Sequence, residues 1–469
     1  MTPLFAIVVL IQGVPTPPPA PPPPRLPQDT AAGRPCRVAV DSMGHYAEIP
    51  HGDGTKTIHG GGGVLAHCDG TNTTVSADSF AHYPALGRLD LIGRVAIRDT
   101  GLALDAKFAS YFLREERLEA HNNVVAVNRR TGSVLRGPNL KYWRAVRGIR
   151  DTVEMYATQR PTVEYRQGGA GAADTTQAEP YIIVGDRLHF KGDDRMWAGG
   201  KVTIDRSDFA ARGDSMMLDQ TTGFGVLVGT PSVEGRSGGL GISRASYTLV
   251  GTRIELGLAQ RDIRKVKALG HGKATGADWV LTADTIDLRV ADRKLQQTFA
   301  WGDSLRPHAI SVLYTIQADS LAIDSPGEIL TESRAFGNSF STAKRDSTTP
   351  PAETDWISGD SLTIRFAQEK DSGATRPRSR LRQLVSRGTP AKALTHHPND
   401  RDTTNSGPAI NYSRGTMITL TMLRGRIDQV VVAGKSDGVH LVPRPPVADS
   451  AKADSAKADS AKAPRPVTP

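Results

Sequence analysis

The chain has little of what usually stabilises or embeds a protein of its length: two cysteines among 469 residues, 6% aromatic residues and, past position 14, no stretch approaching the 20 or so apolar residues needed to span a bilayer as a helix. The last of these excludes a polytopic helical membrane protein. Cys36 and Cys68 are too few for a disulfide framework and stand in no metal-ligand spacing. They read equally as one bridge in an oxidising compartment or as two small buried hydrophobes. Helical signals are also scarce. Few apolar stripes of period 3.6 occur, and 47 glycines and 31 prolines interrupt the chain too often for long helices, which excludes a helical bundle. Neither sign of charge dominates: 58 Lys and Arg against 49 Asp and Glu leave a net +9, scattered along the chain. That excess favours acidic partners without choosing among them.

The two ends differ from the body. Leu4–Ile11 is an apolar core of the length of a secretory segment, although no basic residue precedes it and no Ala-x-Ala site follows. Residues 1–14 are therefore expected to direct export or to remain as an anchor. Residues 15–35 are Pro-rich and predict an extended polyproline spacer. From Ala448 an Ala-Asp-Ser-Ala-Lys unit repeats three times, and the low hydrophobicity of residues 441–469 predicts a disordered tail.

Between the ends, short alternating runs rich in Val, Ile, Leu, Tyr and Phe, punctuated by Asp, Gly and Asn, are the signature of strands. One frame recurs: apolar, any residue, Ala or Gly, usually Asp, any residue, apolar, any residue, apolar. It begins at Val75, Leu104, Leu135, Ile183, Ala211, Leu249, Leu281, Ile316 and Ile357. The third position is always small, and the fourth is Asp at Asp78, Asp186, Asp214, Asp284, Asp319 and Asp360. Positions one and three share a strand face, whereas six and eight have the opposite parity, so a straight strand would turn the second apolar pair to solvent. A bulge or corner between them predicts a bent strand with both halves facing one interior. The small residue permits close backbone approach there, and the Asp is expected to bond neighbouring N–H groups in an Asx-type turn.

Return strands carry their own Gly or Asn bend, as in Leu89–Ile97, Leu118–Val124, Met196–Ile204 and Val430–Gly434. Strand and return strand stacked about 4.8 Å apart predict an elongated all-β structure with a continuous apolar trough. Copy spacings of 28 to 48 residues place the irregularity in loops. Residues 167–180 and 341–355 are expected insertions. Residues 368–412 are expected to form a longer basic one, read as a solvated loop and containing Arg376, Arg378, Arg380 and Arg382.

The frame, with returns such as Leu91-Ile-Gly-Arg-Val95 and Trp197-Ala-Gly-Gly-Lys-Val202, resembles the organic-solvent-tolerance (OstA-like) family of periplasmic lipopolysaccharide-transport bridges. The resemblance covers residues 37–440, as two regions, 37–166 and 181–440. It implies an elongated, partly open β-jellyroll (a β-taco) of mostly antiparallel strands that shields acyl chains, with protomers stacking end to end between inner- and outer-membrane transport components. The best-known bridges are shorter, with fewer copies and without the long insertions. No series of lipid-facing strands of about ten residues predicts an outer-membrane barrel.

The trough lining is expected from the frame's large residues: Leu104, Tyr111, Ile183, Leu188, Phe190, Leu249, Ile254, Leu256, Leu281, Ile286, Leu288, Ile316, Leu321, Ile323, Ile357, Leu362 and Ile364. His45, His51, His59 and His67 lie too far apart for a standard metal set and predict a Gly/His-rich surface. Gly60–Gly63 lacks the following Lys-Ser/Thr of a phosphate loop, and no nucleophile elbow or His-Glu-x-x-His is present. The sequence thus predicts no enzyme and no cofactor, but a periplasmic bridge for lipopolysaccharide or a related glycolipid, without a nucleic-acid partner. The alternatives are a ligand-free structural β-solenoid of the envelope and, less favoured, a β-helical carbohydrate-active enzyme using the repeated Asp residues.

Overall fold

A computed structural model describes residues 35–166, 179–237, 244–259, 262–277, 279–312, 314–344, 354–369, 378–397, 408–423 and 426–443. The apolar N-terminal segment, nearly all of the Pro-rich spacer and the repeat-bearing tail lie outside them. The described chain is one sheet of 30 antiparallel strands, relieved only by two single 3-10 turns at Pro84–Leu86 and Pro326–Glu328. The chain adopts the all-β, elongated class read from the repeat, jellyroll-like as the resemblance implies. The sheet continues from Thr162–Tyr165 directly to Tyr181–Val184, so the two regions separated in the sequence are one ladder.

Each long strand is bent where the frame predicts. Register shifts fall between Ser76 and Ser79, between Asp105 and Phe108, and between Gly199 and Val202. Either side of such a corner the inward parity resets. Ile183 is buried before the corner, and Leu188 and Phe190 after it, while Ile182, Arg187 and His189 face outward. The return strand turns on two successive residues of left-handed backbone, such as Gly93 and Arg94, Asn122 and Asn123, or Gly200 and Lys201. Glycine and asparagine are favoured there because an ordinary side chain resists positive φ.

The corner Asp residues work differently from the expected local turn. The N–H of Asp186 donates to Gly200 O at 2.9 Å, that of Asp214 to Gly229 O at 3.1 Å and that of Asp319 to Gly337 O at 2.9 Å. Each Asp side chain lies over the neighbouring strand's corner glycine, where a Cβ would collide with it. Its carboxylate then meets the basic residue beside a left-handed corner: Arg94 reaches Asp78 at 2.6 Å and Arg160 reaches Asp186 at 3.1 Å. Among the described residues only Asp284 accepts backbone N–H groups in the expected sense. Its donors are Ser304 and Leu305, some 20 residues away and not the adjacent ones. The repeated Asp is therefore an interstrand device at the spine of the fold.

The basic stretch expected as a loop is corrected at its centre. Arg378–His397 is a 20-residue strand paired with both Asp355–Glu369 and Ala409–Leu423. Leu381, Leu384, Ala391 and Ala393 are buried in the common core. The alternation was present, but the arginines between the apolar residues disguised it as a charged loop. Arg376 lies outside the described residues. A tenth copy of the frame, Ser413–Leu420, carries Ser first and Thr fourth; Thr416 Oγ1 donates to Ala433 O at 3.0 Å, as Thr252 Oγ1 does to Leu269 O at 2.8 Å.

Candidate functional site: the apolar interior and its mouth

Because every strand bends, the sheet has two flaps joined at the spine of corners. The hairpin tips of one flap, such as those at Cys68–Thr74, Arg98–Leu102 and Asn128–Val134, face the tips of the other, such as those at Tyr83–Arg88, Phe112–Arg117 and Lys191–Arg195. The two rows of tips form the mouth.

The interior between the flaps is largely apolar along the chain, with small buried hydroxyls such as Thr298, Ser333 and Ser341 among its lining. Leu104, Leu188, Leu249, Ile254, Leu281, Ile286 and Leu288 expose no surface, and Tyr111, Ile183, Phe190, Leu256, Ile316, Leu321, Ile357, Leu362 and Ile364 are also buried. Ile323 is half-buried against the same cluster. All the residues read as lining thus lie in one continuous core with contributions from both flaps. They pack against one another and fill it. Tyr111 is the chemical exception, since its hydroxyl donates to the buried carboxylate of Glu116.

Polar latches join the flaps across the mouth. The N–H of Cys36 donates to Glu116 Oε1 at 2.8 Å, Asn128 Nδ2 donates to Asp193 Oδ1 at 2.7 Å, Gln220 Nε2 donates to the Tyr165 hydroxyl, and Arg206 Nη1 donates to Asp262 Oδ1 at 3.4 Å. These partners are 80, 65, 55 and 56 residues apart, a separation that only folding one flap over the other can bridge. Each tip meets a tip further along the stack, the offset expected when a right-handed twisted sheet closes on itself. Basic residues reinforce the line. Arg130 pairs with Asp193 at 2.7 Å, and Arg293 meets Asp208 at 3.7 Å beside the buried Arg206–Asp208 pair.

Burial pushes the phenols of this region upward. Tyr111, Tyr142, Tyr165 and Tyr247 are all raised, first by loss of water, and Tyr181 is pushed up to about 12 for the same reason. The Tyr181 ring lies under the Arg206 guanidinium at 4.3 Å, and its hydroxyl is buried without a hydrogen-bond partner.

At the N-terminal end the strap containing Cys36 crosses the mouth. Cys36 is disulfide-bonded to Cys68 in one flap, settling the pairing the sequence left open, while its N–H bonds Glu116 in the other. Glu116 has a left-handed φ of 51° and is 1% exposed. It also meets Arg144 Nη1 at 3.4 Å. Nothing in the spacing of Glu116 and Arg144 announces this cluster; a charged residue just inside a hairpin tip is the only local hint. Beneath the strap lies a cavity of about 40 Å³ with an almost wholly apolar lining.

The early histidines do not converge. His67 pairs with Asp41 at 2.7 Å and Asp69 at 3.2 Å, His51 bonds Thr57, and His45 is exposed on the first rung. No helix among the described residues is long and apolar enough to cross a membrane. No protein-family model matches the chain, and a search of curated proteins finds no match.

Proposed function

We propose that this chain is a non-enzymatic periplasmic carrier that shields the acyl chains of lipopolysaccharide or a related glycolipid between its flaps on the way to the outer membrane. The observation that carries this reading is the continuous, largely apolar interior built from both flaps, interrupted by small inward hydroxyls such as Thr298, Ser333 and Ser341, and latched along one long side by hydrogen bonds and ion pairs. Each latch is a single hydrogen bond or ion pair, buried at Cys36–Glu116 and part-buried at the others, so its loss costs on the order of 1–3 kcal/mol. Sheltering an acyl chain of a dozen carbons gains on the order of 10 kcal/mol. A lipid can therefore displace the latches and part the flaps, taking over the contacts the lining residues make with one another.

The ends of the stack support transfer between protomers or to membrane-bound partners. Among the described residues the first rung, Val38–Ser42 and His45–Pro50, pairs only with Lys56–Cys68, and the last, Arg426–Ala433 and Asp437–Leu441, pairs only with Ala409–Leu423. Both outer edges carry exposed apolar residues, Tyr46 and Ile49 at one and Val439 and Leu441 at the other. Unpaired backbone beside apolar side chains is a template for adding a strand. Export by the segment Leu4–Ile11 belongs to the same proposal.

The filled interior favours a second reading, a ligand-free envelope scaffold. Native mass spectrometry of protein purified from its own envelope separates the two. The carrier is expected to retain glycolipid mass at substoichiometric or higher occupancy; a chain that is uniformly lipid-free, from cells with normal surface glycolipid, argues for the scaffold.

A further inference from the structure

We propose that the cavity beneath the Cys36 strap is a binding site for the end of a single hydrocarbon chain carrying an anionic head group. The inference rests on the lipid-carrying reading and assigns the place where a chain first enters. Three observations meet there. The cavity, about 40 Å³, exceeds the 10–15 Å³ or so one water needs, and its exposed wall is almost wholly the apolar surface of residues such as Val38, Val75, Leu89, Leu91, Ile97 and Leu102, with Thr73, Asp99 and Arg144 among the polar residues around it. Hydrocarbon is the occupant such a void favours. The Thr73 hydroxyl, on a residue 4% exposed and lining the same cavity, has no hydrogen-bond partner, so the site contains an unanswered polar atom.

The rim supplies the charge. Arg144 lines the cavity with its side chain only 12% exposed, and among the described residues its one ionic contact is the long 3.4 Å approach to Glu116. A guanidinium has five donors, and a carboxylate or phosphate at the rim can accept from it in the bidentate geometry the Glu116 contact lacks. The strap fixes the width of this part of the mouth, because Cys36 is bonded to both flaps at once. Further along the mouth a second, smaller pocket of about 20 Å³ lies at the Arg206–Asp262 latch, where Arg206, Asp208, Asp262 and Arg293 make its lining far more polar.

The test uses the full chain with its disulfide intact and 11-(dansylamino)undecanoic acid as the probe. Saturable, blue-shifted fluorescence at one probe per chain is expected, displaced at least fivefold better by laurate than by dodecanol. That preference should fall in Arg144→Gln. Filling the cavity, by Val38→Trp on the first rung or by Leu91→Phe in the wall, should weaken probe binding at least tenfold with the melting temperature held. If one variant melts early, the other decides. Absence of saturable binding, or undiminished binding in a filled variant that melts normally, overturns the proposal. A photo-crosslinker at Ile323, far along the stack, keeps the two ideas apart. Capture of lipopolysaccharide there with no probe site under the strap sinks the cavity and leaves the carrier; probe binding under the strap with no capture at Ile323 sinks the carrier.

Discussion

Replacing Gly200 by alanine tests the corner on which the fold's geometry depends. Gly200 has φ +78° and is followed by Lys201 at +47°. An alanine there must take up left-handed backbone, at about 1–2 kcal/mol. Its Cβ would also fall on the side chain of Asp186 across the ladder. Asp186 is 54% exposed and its carboxylate can swing away, giving up its 3.1 Å pair with Arg160, worth at most about 1 kcal/mol, but its Cβ stands 2.6 Å from the added methyl and only a shift of the paired backbones relieves that contact. With that shift the sum is about 2–3 kcal/mol. Lys201→Gly is the matched control: relief of left-handed strain is offset by the backbone freedom of glycine, about 0.5–1 kcal/mol, so little net change is expected. In a stacked ladder such damage stays near its rung and is not a single global transition. Amide exchange resolved to the strands Arg195–Arg206 and Phe209–Asp219 is therefore the assay. Protection in these strands should drop by about 30- to 150-fold, equivalent to the 2–3 kcal/mol above, while Lys56–Cys68 stays unchanged. Unaltered exchange in Gly200→Ala, or equal damage in Lys201→Gly, would refute the bent-strand account.

Three further outcomes follow from the same structure. Tyr181→Phe should leave stability unchanged or raise it, as read by thermal melting, because the buried hydroxyl it removes has no partner; a loss above about 1 kcal/mol would mean the hydroxyl is satisfied. Buried phenols raised above their ordinary value near 10 favour the folded state while neutral, and an unfolded chain releases their protons first. Stability should thus be full below about pH 10 and fall as pH rises above it, with phenolate absorbance appearing together with unfolding; early, independent ionisation of these tyrosines would contradict their burial. Cys36→Ser with Cys68→Ser opens a loop of sequence separation 32, for which chain entropy gives about 3–4 kcal/mol. Fraying detected by exchange should be confined to the first rungs, and loss of protection throughout the sheet would show that the strap does more than close one end.

The bend was legible because parity is arithmetic: Ile183 and Leu188 cannot share an interior on a straight strand, and both are buried. The lining followed from it. What the corner Asp does was not legible, since its partner glycine sits on another strand and sequence order does not say which strands are neighbours. The strand at Arg378–His397 was hidden by its outward arginines. Cross-mouth latches such as Asn128 with Asp193 join residues 65 apart and depend on the twist offset between flaps, which no local pattern encodes. Glu116 was invisible for a similar reason, because its environment is assembled from Cys36, Tyr111 and Arg144.

The central claim is that acyl chains travel between the flaps, and in-cell photo-crosslinking at paired neighbours tests it most directly. Leu256 and Ile323 face the interior, whereas Glu255 and Ala322 lie on the opposite parity of the same strands. The account predicts glycolipid adducts at Leu256 and Ile323 and none at Glu255 and Ala322. Equal labelling of both faces, or no labelling at the inward pair in cells that deliver glycolipid normally, would contradict it.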